Sequence, residues 1–368
     1  IELRVNEDFN LYDELRSRHF DVSAATRIKL QMSRLRALPI FGVIENKLLG
    51  HSLLHSLGMP TMPVAYGGLS RAQLGEWGIF QETLLRAALA KAHGWGSGAV
   101  LKPATDGGSV GTLLLSGFGT LPNGSLQFRV DRYDHGGWRR LRWSMEAMVA
   151  HARAHLGDGA SAMRWGQKFM HIGIMLQEQY GCAKGECPPG AMMRAMGVPC
   201  GGRGLGCILE LKAHIVFGRL SCILIEQVPI AFNVTLYVTV HDDGSTDCAP
   251  SPGAAPAAAN SVGAGPVLTC GHFTRIVQPL LPTLAEQAAK LSSVILADWF
   301  RLDVFVGHPK LGMRVNEITY PSHVHDKCAL RQWLHKYRTL RLIPTSGRVV
   351  FNTLARSLGI DNYTFFNV

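Results

Sequence analysis

Apolar residues recur in two different periods along this chain, and the changes of period mark out its elements. Leu48, Leu49, Leu53, Leu54 and Leu57 repeat at helical spacing behind Asn46, a capping residue, and Gly58 closes the run. The pattern predicts a helix over 47–57. Further amphipathic helices are predicted over 24–38, stopped by Pro39, over 81–93, 144–156 and 327–339, and over 273–293, where Pro279 and Pro282 interrupt it. Residues 59–66 read as extended. Runs rich in β-branched and apolar residues predict strands over 99–103, 112–115, 172–180, 207–216, 221–226 and 234–240. Two more, 301–306 and 314–319, are predicted to pair through a hairpin at 307–312.

Those last two strands carry the sharpest chemical signal. Each sets a carboxylate, Asp303 or Glu317, among apolar neighbours. A lone buried carboxylate costs several kcal/mol or more, so something positive is expected between them, and a divalent cation is the economical candidate. Upstream, the strand holding Lys102 runs into a glycine-rich turn, Asp106-Gly107-Gly108-Ser109-Val110-Gly111. Glycines let a backbone approach phosphates and present N–H groups to them. A plain Gly-Gly hairpin explains the turn as well, and neither a Walker A loop nor a dinucleotide fingerprint is present. The strand ending Glu178-Gln179-Tyr180 suits reading an adenine edge, or is an ordinary edge strand. Lys212 and His214 share one strand face; a solvent-facing strand would place them there too, and a structural role is the better reading for His214.

Composition narrows the picture modestly. Of the 368 residues 47% are hydrophobic, enough for a substantial core. No apolar run reaches the roughly 20 residues of a membrane helix. The formal net charge of +10 fits solvated helix faces first, then a basic rim attracting phosphate or an acidic substrate, and nucleic acid last. Cys182, Cys187, Cys200 and Cys207 lack the paired spacing of structural zinc. A disulfide in an oxidising compartment is an alternative, and free thiols in an inserted loop are the preferred reading. The Ala/Pro/Gly-rich stretch within 241–271 cannot build a core and is expected to be a flexible surface insertion.

The order Lys–glycine loop, polar strand, Lys strand, Arg-x-Asp and Asn-Glu-x-Thr resembles the ATP-grasp superfamily over about residues 40–325. The metal strands are similar to those of D-alanine–D-alanine ligases. Asn46-Lys47, the Leu57-Gly58-Met59-Pro60 helix end and the Glu317-Ile318-Thr319 strand look closer to the teichuronopeptide-biosynthesis (TupA-like) group. The resemblance implies that Lys102 and Lys212 contact ATP phosphates from opposite sides of a cleft, beneath the 106–111 loop. Backbone atoms at Gln179 and Tyr180 would read adenine, with Glu178 at the hinge and Glu186 as a ribose-binding acid. Asp303 and Glu317 would bind Mg²⁺, and Arg301, on the same strand face as Asp303, would neutralise the transferring phosphoryl group. Thr319 stands where many of these ligases have a metal-binding Asn.

The implied fold class is α/β (α+β): an ATP-grasp fold of two α+β subdomains clamping ATP, 96–180 and 181–325, with insertions at 181–206 and 241–271. A small N-terminal α/β unit (1–95) precedes them and a helical tail (326–368) follows. The implied function is an ATP-dependent carboxylate–amine ligase acting through an acyl-phosphate, joining an amino acid to an acidic glycan or peptide. An ATP-grasp kinase and a catalytically silent nucleotide-binding scaffold are the alternatives. The expected location is cytoplasmic, without nucleic-acid partners or a membrane span.

Overall fold

The computed structural model describes residues 46–70, 79–104, 111–134, 137–157, 172–180, 208–216, 218–228, 234–250, 269–295, 299–308 and 311–319. The expected helices at 24–38 and 327–339, the 181–206 insertion and the tail lie outside them. The described part is a mixed α+β fold dominated by two antiparallel six-stranded sheets.

The first sheet has the order β1-β6-β2-β3-β4-β5. Its strands are β1 (Val64–Ser70), β2 (Ala99–Pro103), β3 (Leu113–Thr120), β4 (Leu126–Asp134), β5 (Gly137–Ser144) and β6 (Ile172–Glu178). Side chains alternate across a strand, and the alternation is strict here. Ala99, Leu101, Leu113, Leu115, Phe128, Val130, Ile174 and Leu176 turn to one face, where Leu85, Leu89, Met148 and Val149 of helices α2 (Ile79–His93) and α3 (Met145–Gly157) bury them. The opposite face carries Lys102. β1 comes from the segment expected to form a separate N-terminal unit, yet it is an edge strand of this sheet, paired with β6.

The second sheet has the order β10-β9-β8-β7-β11-β12. It comprises β7 (Ile208–Val216), β8 (Arg219–Val228), β9 (Val234–Val240), β10 (Thr246–Pro250), β11 (Trp299–His308) and β12 (Gly312–Thr319). Leu209, Leu211, Ala213, Ile215, Leu302 and Val304 face α4 (Cys270–Ile276) and α5 (Leu281–Ile295). The prolines divide these helices as the sequence predicts. Pro279 falls in a short 3-10 turn, Gln278–Leu280, and Pro282 in the first turn of α5, where a missing N–H costs nothing. Cys248 of β10 and Cys270 of α4 form a disulfide, and Cys222 is disulfide-bonded as well. No described cysteine is a free thiol.

Helix α1 (Lys47–Ser56) ties the two sheets together. The Asn46 side chain accepts from the amides of Leu48 and Leu49, both at 3.0 Å. The Lys47 amide donates to the Ala104 carbonyl just past β2, and the Val315 amide of β12 donates to the Pro60 carbonyl, both at 2.7 Å. One short segment thus contacts the end of the first sheet and an edge of the second.

Candidate functional site

On the second sheet, the face turned away from α4 and α5 is built from charges. β7 places Glu210, Lys212 and His214 there at two-residue intervals. Register then sets Asp303 beside Lys212, Arg301 beside His214, Glu226 beside Glu210, and Glu317 beside Asp303. Four strands deliver these side chains to one patch, and Arg301, Asp303, His214 and Glu226 are all buried.

Three ion pairs answer most of these charges. Arg301 grips Asp303 with two hydrogen bonds, Nε to Oδ1 at 2.6 Å and Nη2 to Oδ2 at 2.8 Å. The Lys212 ammonium lies 2.7 Å from the Glu226 carboxylate, and Lys47 lies 4.0 Å from Glu317. The chain's own cations thus supply positive charge to both Asp303 and Glu317. Among the described residues no three His, Cys, Asp or Glu side chains form a metal-ligand group. Asp303 and Glu317 still face each other in register, and Mg²⁺ needs only one or two carboxylates when phosphate oxygens complete the shell. That donor pair fits the ion. The Thr319 hydroxyl donates to Glu317 at 3.4 Å, a long contact that holds it on the same face.

Lys102 joins this patch from the other sheet. Its ammonium donates to Asn316 Oδ1 at 3.0 Å. Asn316 is the extra residue of a bulge: Glu317 opposes Asp303 and Val315 opposes Val304, leaving Asn316 unopposed. Bulges re-aim side chains next to functional sites, and here the bulge turns Asn316 as well as Glu317 towards the first sheet. Lys102 and Lys212 therefore sit on opposite sheets.

Burial and mutual charge bend the acid–base behaviour of the cluster. Burial lowers the Lys102 ammonium to about 8, against the pull of Glu317. Burial and the nearby Asp303 charge raise Glu210 to about 8. Asp303 is raised chiefly by burial. Glu317 is lowered although burial opposes it, because Lys47, Lys102 and Arg301 surround it. Arg301 is held above its ordinary range: burial works against its charge, but Asp303 and other carboxylates more than offset that. His51 of α1 is lowered to about 4 by burial and then by the charge of Lys102 and His55.

Solved structures similar to this chain include D-alanine–D-alanine ligase from Bacillus anthracis, at 13% identity and TM-score 0.38, covering 84% of this chain and 70% of that one. Cdc123 from Schizosaccharomyces pombe matches at 13% identity and TM-score 0.34, over 80% of this chain and 91% of that one. An ATP-grasp ligase of Chryseobacterium gregarium associated with RiPPs, solved with ADP and a leader and core peptide, matches at 9% identity and TM-score 0.28. It covers 84% of this chain and 65% of that one. No family model matches the chain, and the search of curated proteins finds no match.

The remaining sequence-predicted residues divide. Asp106, Gly107, Gly108, Ser109, Val110 and Glu186 lie outside the described residues. Gly111 closes its loop with φ of +71°, and its carbonyl lies 3.0 Å from His151 Nε2. Glu178 accepts from Ser97 at 2.8 Å. The Gln179 N–H, expected to read adenine, donates to the Gly98 carbonyl at 3.0 Å, so the fold already uses that donor. Gly98 holds φ of +87°, and an added Cβ would lie 2.6 Å from the Leu115 carbonyl, so no other residue fits that turn without a shift. The Tyr180 hydroxyl donates to the Gly312 carbonyl at 2.7 Å and accepts from the His308 amide at 2.8 Å, pinning the β11–β12 hairpin to the end of β6. Sequence reasoning gave no role to Lys47, Glu210, Glu226 or Asn316. The alternation Glu210-x-Lys212-x-His214 carried the signal for the second of these.

Proposed function

We propose that this chain is an ATP-dependent ligase of the ATP-grasp type, joining a carboxylate to an amine through an acyl-phosphate. The observation that carries the reading is the contact of Lys102, from one sheet, with Asn316 of the other, beside Glu317, Asp303, Arg301 and Lys212. Phosphoryl transfer is mainly positioning and charge neutralisation, and this cluster brings three cations, with Lys47 beside Glu317 as a fourth, and several carboxylates together. Lys102 and Lys212 would hold phosphate oxygens from opposite sides. Arg301 would release one arm of its fork from Asp303 to grip the transferring group, for which its planar geometry is suited. Asp303 and Glu317, with Thr319 beside them, would hold Mg²⁺, which neutralises phosphate charge. The TupA-like resemblance adds an amino acid and an acidic glycan or peptide acceptor as substrate classes.

One observation favours a second reading, a silent nucleotide-binding scaffold: Arg301 and Lys212 are already paired with carboxylates of the chain. The Cys248–Cys270 bond favours an oxidising compartment over the cytoplasm expected from sequence, since cytosolic thiols are kept reduced. No helix among the described residues is long and apolar enough to cross a membrane.

The test is ADP release across pairs of carboxylates and amines, with Arg301→Ala, Asp303→Asn and Glu317→Gln as controls. Turnover requiring both acceptors, and lost at least 100-fold in each variant, supports the ligase. Turnover with a hydroxyl acceptor alone makes it a kinase. Full turnover in the variants removes this site, and absence of any thermal shift with ATP and Mg²⁺ removes nucleotide binding.

A further inference from the structure

The face of the first sheet that carries Lys102 continues across β3 and β4 to β5, and its far end is strongly basic. β4 and β5 hold Arg129, Arg132, Arg139, Arg140 and Arg142 against only Asp131 and Asp134. Register sorts them by face. Arg132, Arg139, Leu141 and Trp143 lie with Phe128 and Val130 on the helix-covered side, whereas Arg129 is opposite Arg142 and Asp131 opposite Arg140 on the Lys102 side. Arg129, Arg140 and Arg142 are exposed. Asp131 accepts from Arg140 at 2.9 Å, and Arg129 donates to Ser116 at 3.2 Å, so the row is held in place on the sheet surface. Three strand spacings, about 14 Å, separate β5 from the Lys102 strand.

Among the described residues β5 is also the last strand of its sheet, and its outer row of backbone N–H and C=O groups faces away from β4. Such an edge is a template for an added strand. Arg140 and Arg142, two residues apart, stand about 7 Å from each other along it. An extended peptide presents alternate side chains at that same spacing.

We propose that β5 is a docking edge for an acidic peptide segment, which adds as a seventh strand and sets alternate carboxylates against Arg140 and Arg142. Charge complementarity selects an anion, and the edge selects among anions: a peptide uses the backbone row and the arginines together, while a glycan or nucleic acid uses the charges alone. The carboxylates of the docked segment point to the same sheet face as Lys102, four strand spacings, about 19 Å, from its strand. This inference concerns binding only and stands whether or not the cleft is catalytic.

The experiment is fluorescence anisotropy of the full chain with a labelled Thr-Glu-Thr-Glu-Thr-Glu peptide, without nucleotide. The expected result is saturable binding that weakens at least 10-fold in Arg140→Ala/Arg142→Ala. It also weakens at least 10-fold when alternate peptide nitrogens are methylated, which removes strand hydrogen bonds and leaves every charge. Circular dichroism and melting temperature confirm that the variant is folded. Arg140→Glu/Arg142→Glu should transfer preference to the corresponding lysine peptide. Equal or tighter binding of an oligouronate or an oligonucleotide overturns the proposal, as does indifference to N-methylation. Self-association of the alanine variant without any peptide binding by the parent also overturns it, because the arginines would then serve only to guard the edge against other copies.

Discussion

Arg301 and Asp303 set the terms at the scale of single residues. A buried guanidinium gripping a buried carboxylate through two hydrogen bonds is a closed unit, and opening it needs another partner for each half. Removing one member leaves a buried charge, at a typical cost of about 3–5 kcal/mol. Loss of activity in Arg301→Ala must therefore be read beside its stability. His51 gives a cleaner readout, because it lies outside the charged patch while feeling Lys102 and its neighbour His55. Its folded pKa, about 4, is below its ordinary value of 6.5. Between those values the unfolded chain binds the extra proton and the folded chain does not. Stability from this group is thus fully present above pH 6.5 and is lost as pH falls towards 4. Discounted for partial solvent screening, the loss is on the order of 1–2 kcal/mol. His51→Gln should flatten the urea midpoint between pH 6.5 and 4 relative to the parent chain. An unchanged slope would mean that His51 is not held neutral.

At the scale of elements, the hinge between the sheets rests on Tyr180. Its ring stacks on Phe305 with centroids 5.3 Å apart, and its hydroxyl joins two backbone groups of the hairpin strands. Tyr180→Phe keeps the stack and leaves the buried His308 amide unanswered, a cost of about 1–3 kcal/mol. The checking measurement is hydrogen exchange: protection should fall in 305–315 and remain unchanged in β3 and β4. The helices were legible in sequence because each buries one stripe, and β7, β8, β9, β11 and β12 because apolar residues dominate them. β4 and β5 went unread. Leu126, Phe128 and Val130 do alternate, but the arginines between them read as a solvated helix face. β10 has neither length nor pattern: five residues, mostly exposed. Within the site, Asp303 and Glu317 stood out in the sequence because each interrupts an apolar strand and Lys102 because it precedes a glycine-rich turn, whereas Arg301 came from the family resemblance. Asn316 did not stand out, since a bulge depends on the register of a partner strand and leaves no mark in its own sequence. Lys47 enters the site through the docking of α1, which no local pattern encodes.

For the whole molecule, the Cys248–Cys270 bridge fixes a long-range constraint that neither sheet supplies. It joins the edge strand β10 to the helix that covers the same sheet, across 22 residues of sequence. The intervening segment includes the Ala/Pro/Gly-rich stretch of the sequence. Without the bond, β10 keeps its ladder to β9 and its contacts with α4, and most of the strand is exposed. Closing a loop of this length in the unfolded chain contributes about 3 kcal/mol in the chain-entropy account. Cys248→Ser/Cys270→Ser should therefore lower the melting temperature by several degrees, and dithiothreitol should do the same to the parent but not to that variant at these positions. Hydrogen exchange locates the effect: protection should be lost first in β10 and α4, while β7 and β11, in the middle of the sheet, retain theirs. The same comparison bears on compartment. A chain purified from a reducing cytosol with both thiols free and a melting temperature equal to that of the oxidised form would show that the bond is not part of its working state. A chain that reaches full stability only after oxidation belongs where disulfides persist.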